Sequence, residues 1–118
     1  MINLYAHVYG TLSALGYPVR EQGTYAPGDE LPETHVTYFF VDSPNDSHAD
    51  NEPTSTTTRI QVALYSRDPE IKQAANATLK DVMLPAGFLR VGGGDLPYNT
   101  ATGHYGFRCD FRFYDMED

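Results

Sequence analysis

The stretch His104-Tyr105-Gly106-Phe107-Arg108-Cys109-Asp110-Phe111-Arg112-Phe113-Tyr114 alternates without interruption. Tyr105, Phe107, Cys109, Phe111 and Phe113 take one parity, and His104, Gly106, Arg108, Asp110, Arg112 and Tyr114 take the other. Successive side chains of a strand point to opposite faces. This spacing therefore predicts a strand at 104–114 with an aromatic core face and a charged outer face. Such a strand needs partners. Ile60, Val62 and Leu64 alternate with Arg59, Gln61 and Ala63, which predicts a second half-buried strand over 56–65. Residues 34–42 predict a third, with Val36, Tyr38 and Phe40 on one face and Phe39 and Val41 on the other. A strand apolar on both faces is normally covered on both, and a neighbouring subunit could supply the second cover.

Two helical patterns flank these strands. Leu4, Val8, Leu12 and Leu15 share one face of a helix over 2–15, with Tyr5 and Tyr9 widening the stripe. Gly16 and Pro18 stop it. Asp68 as N-cap and Pro69 in the first turn open a second helix. Its stripe is Ile71, Ala74, Ala75, Leu79, Val82 and Met83, and Pro85 and Gly87 end it. Residues 19–22 predict a short edge strand and 88–91 another. Gly92-Gly93-Gly94 predicts a turn, and 96–102 an irregular segment. The expected fold class is α+β. Two helices pack on one face of a mostly antiparallel sheet of four to five strands, in the order α-β-β-β-α-β-β.

The chain has 118 residues, 41% of them hydrophobic, which predicts one domain over 1–118 with a real core. Eight Lys and Arg stand against sixteen Asp and Glu, a formal charge of −8. That balance argues against a general nucleic-acid binder and against docking on anionic membranes, both of which need positive surface. No uninterrupted apolar run exceeds four residues, as at 38–41, which is far too short to span a bilayer. Residues 1–7 lack the basic start and apolar stretch of a signal peptide. Cys109, the single cysteine, cannot form an internal disulfide, which fits a reducing compartment. Charge is also unevenly spread. Between Arg20 and Arg59 there is no Lys or Arg, yet the interval holds eight of the sixteen acids, including Asp42, Asp46, Asp50 and Glu52. Residues 43–55 are polar, with two Pro and no large apolar residue, and predict an exposed acidic hairpin tip.

No constellation carries catalytic chemistry. Asp46, His48, Asp50 and Glu52 alternate possible ligand atoms, but the spacing misses a calcium loop, and a solvated loop explains it better. The glycine triplet is followed by Asp95, which would repel a phosphate. Cys109 shares parity with Phe107 and Phe111, so a buried, inert thiol is expected, with His104 on the opposite face of the strand. The four histidines show no metal-binding spacing. Asn76-Ala77-Thr78 matches a glycosylation pattern but falls within a predicted helix. Arg108 and Arg112 flank Asp110, with Arg59 as a neighbour, which predicts either a polar docking face or cross-strand charge pairing on a solvated one. No cofactor, metal site or catalytic residue is expected.

Several segments together resemble a family. They are Leu15-Gly16-Tyr17-Pro18-Val19 closing the first helix, an aromatic strand after Leu31-Pro32, and a polar hairpin tip. They continue with the strand Ile60-Gln61-Val62-Ala63-Leu64-Tyr65-Ser66, the helix start Asp68-Pro69-Glu70, and Thr102-Gly103-His104-Tyr105-Gly106-Phe107 in the closing segment. In this order the chain resembles the tail-terminator, or tail-completion and tail-to-head joining, proteins of long-tailed bacteriophages and prophages. The resemblance implies a structural protein of the virion tail–neck region, assembled in the bacterial host cytoplasm, and no enzyme. It implies a ring of copies, commonly six. One face would cap the tail tube protein and stop polymerisation, and the other would join the head–tail connector or neck protein. DNA would pass through the lumen without specific binding. In that setting Asp42, Asp46, Asp50 and Glu52 would form a partner contact or a DNA-repelling lumen wall. Arg59, Arg108 and Arg112 would form a docking face. The alternatives are another neck or head-closure component, a plain dimer, or a small ferredoxin-like binding or enzyme domain using His35, His104 or Cys109.

Deleting most of residues 43–55 is expected to leave the midpoint of thermal unfolding nearly unchanged, because a polar tip adds little stability. A large drop in a melting scan would show that the tip is packed.

Overall fold

The computed structural model describes residues 3–25, 30–41 and 55–116. Three helices and five strands follow in the order α1 (Leu4–Ser13), β1 (Val19–Glu21), β2 (Thr34–Phe40), β3 (Ser55–Ser66), α2 (Pro69–Gln73), α3 (Ala75–Met83), β4 (Phe88–Asn99) and β5 (His104–Met116). The sheet order is β1-β2-β3-β5-β4. β1 runs parallel to β2, and the other three pairings are antiparallel. The chain thus has a small α+β fold with a mixed, mostly antiparallel sheet.

Local chemistry accounts for the elements. The Asn3 side chain accepts from the Ala6 amide at 3.2 Å and caps α1. Leu4, Val8 and Leu12 are buried along one face of that helix. Gly16, at φ +86°, turns the chain out of it. Tyr9 is about half exposed, so it adds nothing to the core stripe, whereas Tyr5 sets its ring edge against Phe40 at 4.2 Å. Asp68 accepts from the Glu70 amide at 2.9 Å and caps α2 as expected. The helix predicted to follow is two helices, broken at Ala74 (φ −86°, ψ −2°). The break costs the core little. Ala75, Leu79 and Met83 are fully buried, Ile71 packs beside them, and only Ala74 leaves the predicted stripe for solvent.

The core lies between these helices and one face of the sheet. Along β3 and β5 the pairs Ile60↔Phe111, Val62↔Cys109 and Leu64↔Phe107 turn toward the helices. Val36 and Tyr38 extend this face on β2 and Phe88 extends it on β4. His7 ties α1 to the far edge. Its Nε2 donates to the Ala86 carbonyl at 2.9 Å, and its ring stacks on Phe88 at 5.3 Å.

The glycine triplet departs from expectation. Residues 92–94 lie inside β4, which runs to Asn99, and the turn comes later, at 100–103. A register break between Arg90 and Gly92 brings Gly93 against β5, where an added Cβ would sit 2.6 Å from the Arg108 carbonyl oxygen. These glycines mark a bulge and a close backbone approach, which a composition-based turn rule cannot distinguish from a bend. The real turn is built by Asn99, whose side chain accepts from the Ala101 and Thr102 amides, and by Gly103 at φ +82°.

Phe111 is fully buried at the centre of the helix-covered face. Phe111→Ala is expected to cost about 3–5 kcal/mol in denaturant unfolding, from lost transfer energy and the cavity left behind. A near-neutral result would mean that the strand faces are assigned the wrong way round.

Candidate interaction face

Among the described residues, the second face of the sheet carries no helix. Register places Arg20 of β1, Thr37 and Phe39 of β2, Arg59 and Gln61 of β3, Arg108, Asp110 and Arg112 of β5, and Leu89 of β4 on this side. Four of the eight basic residues of an otherwise acidic chain therefore share one face. Val41 and Leu89 are about half exposed, and Phe39 is half-buried.

Arg59 and Arg112 are exposed and paired directly in the β3–β5 register, with Leu89 opposite Arg112 on the other side. Like charges at directly opposed positions of a ladder repel one another. Arg108 lies four residues along β5 from Arg112, roughly 13 Å at the rise of a strand. It donates to Asp110 Oδ2 at 2.8 Å. Both side chains keep more than a third of their surface in solvent, which limits the pair to a small contribution. The other Asp110 oxygen, Oδ1, is buried and has no partner among the described residues. The three arginines singled out in the sequence are thus on one face, with Arg59 and Arg112 adjacent and Arg108 paired to Asp110. Asp42, Asp46, Asp50 and Glu52 lie outside the described residues.

The sequence analysis named His35 and His104 separately, and the fold brings them together in a cluster at the other end of this face. His35 and His104, from strands on either side of β3, lie with ring centroids 5.0 Å apart and are almost fully buried. Tyr65 stacks on His35 at 5.2 Å, and Tyr25 meets it edge-on at 5.4 Å. Gly106 makes room for this arrangement, since an added Cβ would meet the Tyr65 ring at 2.9 Å. The available signal was that glycine, alone among outward-facing positions of a strand otherwise rich in large side chains. Burial holds His35 below the usual imidazole range, aided by the charges of His104 and Arg67 and opposed by a hydrogen bond to Pro32. Burial also pushes the Tyr65 phenol up.

Cys109 faces the helices, away from both histidines, with Sγ 3.9 Å from Asn76 Oδ1. Burial raises its thiol above the ordinary range, in an environment that keeps it protonated and unreactive. Asn76 spends its side-chain oxygen on Arg90 Nε at 2.9 Å. Among the described residues no group of three or more His, Cys, Asp and Glu is arranged to hold a metal ion.

Arg112→Gln is expected to stabilise the isolated protein by a few tenths to about 1 kcal/mol in thermal unfolding, because it removes the cross-strand repulsion. The gain should shrink as salt rises. A clear loss of stability would mean that Arg112 is held by an attractive contact.

No protein-family model and no curated protein sequence matches the chain.

Proposed function

We propose that this protein is a tail terminator of a long-tailed bacteriophage or prophage: a structural component whose copies form a ring that caps the tail tube and joins it to the head connector. The observation that carries this reading is the helix-free sheet face, where Arg59 and Arg112 are set side by side. A face that gathers arginines in this way is complementary in charge to an acidic partner surface. The chain itself contains the complement, an interval from Glu21 to Glu52 with eight acids and no base. Contact between the basic face of one copy and the acidic interval of the next is heterologous, and contacts of that type generate rings when the rotation closes. The whole-chain order of helix, aromatic strand, polar hairpin and closing aromatic strand adds to this reading through its resemblance to tail-terminator proteins. A net charge of −8 suits a lumen through which DNA slides without adhering.

A small binding or enzyme domain is the second reading, and the proximity of His35 and His104 speaks for it. Against it, both rings are buried and hydrogen-bonded within the fold, which leaves them poorly placed to meet a substrate. The element order also differs from the β-α-β-β-α-β of ferredoxin-like domains.

The test is the mass of the purified protein by light scattering, alone and with isolated tail tubes, with the tubes imaged in parallel. A ring in solution, or protein confined to one end of each tube, is the expected result. A charge reversal, Arg59→Glu with Arg112→Glu, should abolish it while leaving the monomer folded. A monomer indifferent to tube ends would overturn the terminator assignment and shift attention to head-closure partners.

A further inference from the structure

Pro32, just before β2, is tied to the helix-free face by two histidines. Its carbonyl oxygen lies 3.1 Å from His35 Nδ1 and 2.8 Å from His104 Nε2. A carbonyl only accepts, so each of these ring nitrogens carries a proton and donates. That fixes both tautomers. In neutral His104 the other nitrogen, Nδ1, accepts from the Thr102 hydroxyl at 2.8 Å. In neutral His35 the lone pair is on Nε2, which forms no hydrogen bond among the described residues.

The groups around the two rings come from every neighbouring element. Tyr25, in the connection from β1 to β2, covers the edge of His35, and the Arg20 guanidinium of β1 lies 4.4 Å above the Tyr25 ring. Tyr65 of β3 stacks from below. Arg67 follows β3. Its amide donates to the Glu33 carbonyl at 3.1 Å, and its Nε donates to the Thr102 carbonyl at 2.9 Å. Among the described residues no carboxylate forms an ion pair with either imidazole. The charged groups that act on His35 are those of Arg67 and His104, and both rings are almost fully buried.

We infer that the Pro32 carbonyl and its two histidine donors form an acid-released latch, which holds Pro32 on the outward face of the sheet while His35 is neutral and lets it go when His35 is protonated. A second proton would place a cation in a buried site beside Arg67 and the other imidazole. The charged ring gains by moving into water, and its bond to Pro32 is lost with it. The latch works below the ordinary histidine value of about 6.5. The sign follows from linkage. Burial lowers His35, so the unfolded chain binds the proton more readily than the folded one. The stabilisation is complete above about pH 6.5 and is lost as pH falls toward the lowered value of His35. The latch operates in a single chain and does not depend on ring assembly.

Asn places its amide donor where His35 Nδ1 stands, and Gln does the same for His104 Nε2, so His35→Asn with His104→Gln keeps both donors and removes both imidazoles. The experiment follows amide hydrogen exchange of the full-length protein at pH 7.5 and pH 5.5, corrected for the intrinsic rate. In the wild type, protection of the Arg67 amide is expected to fall about tenfold on acidification, the change one shifted pH unit produces, while Cys109 and Phe111 stay protected. In the double variant, which keeps His7 and His48, protection of Arg67 should be independent of pH. Flat protection in the wild type, or an equal fall in the variant, overturns the latch. If the variant does not fold, imidazole and Tyr25 ring resonances of the wild type decide the matter. A His35 midpoint below 6.5 with Tyr25 following the same curve supports the latch, and a Tyr25 ring that ignores the titration overturns it.

Discussion

The ladder between β3 and β5 supports everything else. Twelve consecutive pairs, from Ser55↔Met116 to Ser66↔Tyr105, join two segments roughly 40–60 residues apart in sequence. Their inward side chains form the floor on which α1 and α3 lie, and their outward side chains are the arginines and the Asp110 carboxylate. β2 and β4 have no mutual contact in the sheet and are each positioned by this central pair. Folding must therefore bring distant segments together before the helices have a surface to cover. That predicts the slower kinetics of a fold dominated by non-local pairing.

The parallel pairing of β1 with β2 sets the second constraint. Adjacent parallel strands cannot be joined by a tight turn, because the chain must travel back to the starting end. The helix-covered side is occupied by α1, which comes immediately before β1. The described ends of the connection, at Tyr25 and at Pro32, both lie on the other side, against His35 and His104. Tyr25 and Pro32 thus close one end of the sheet face with a buried aromatic and histidine cluster. At the opposite end Arg59, Arg112, Val41 and Leu89 are exposed.

Much of this was legible in the sequence because it rests on period and capping. The alternation of 104–114 placed Phe111 and Cys109 inside and Arg108 and Arg112 outside. Asp68-Pro69 marked the true start of a helix. What stayed hidden depended on contacts between distant segments. Gly92-Gly93-Gly94 has the composition of a turn, and only the approach of the Arg108 carbonyl shows why a strand needs glycine there. The break at Ala74 leaves the four-residue spacing of the buried stripe intact, so periodicity could not detect it. His35 and His104 are far apart in sequence and look like two isolated histidines. Their pairing follows from both strands flanking β3, which no local pattern encodes. The arginines were legible as outward-facing residues, but their direct opposition required the register.

The register breaks in β4 bear on how copies of the chain can join. β4 forms the long outer edge of the sheet and exposes Leu89, Val91 and Tyr98, the kind of border on which a neighbouring chain could stack as an extra strand. The bulge after Arg90, the second irregularity after Leu96, and Pro97, which has no amide hydrogen, interrupt the row of donors and acceptors that such stacking requires. Growth of the sheet by addition of a further strand at this border is thereby discouraged.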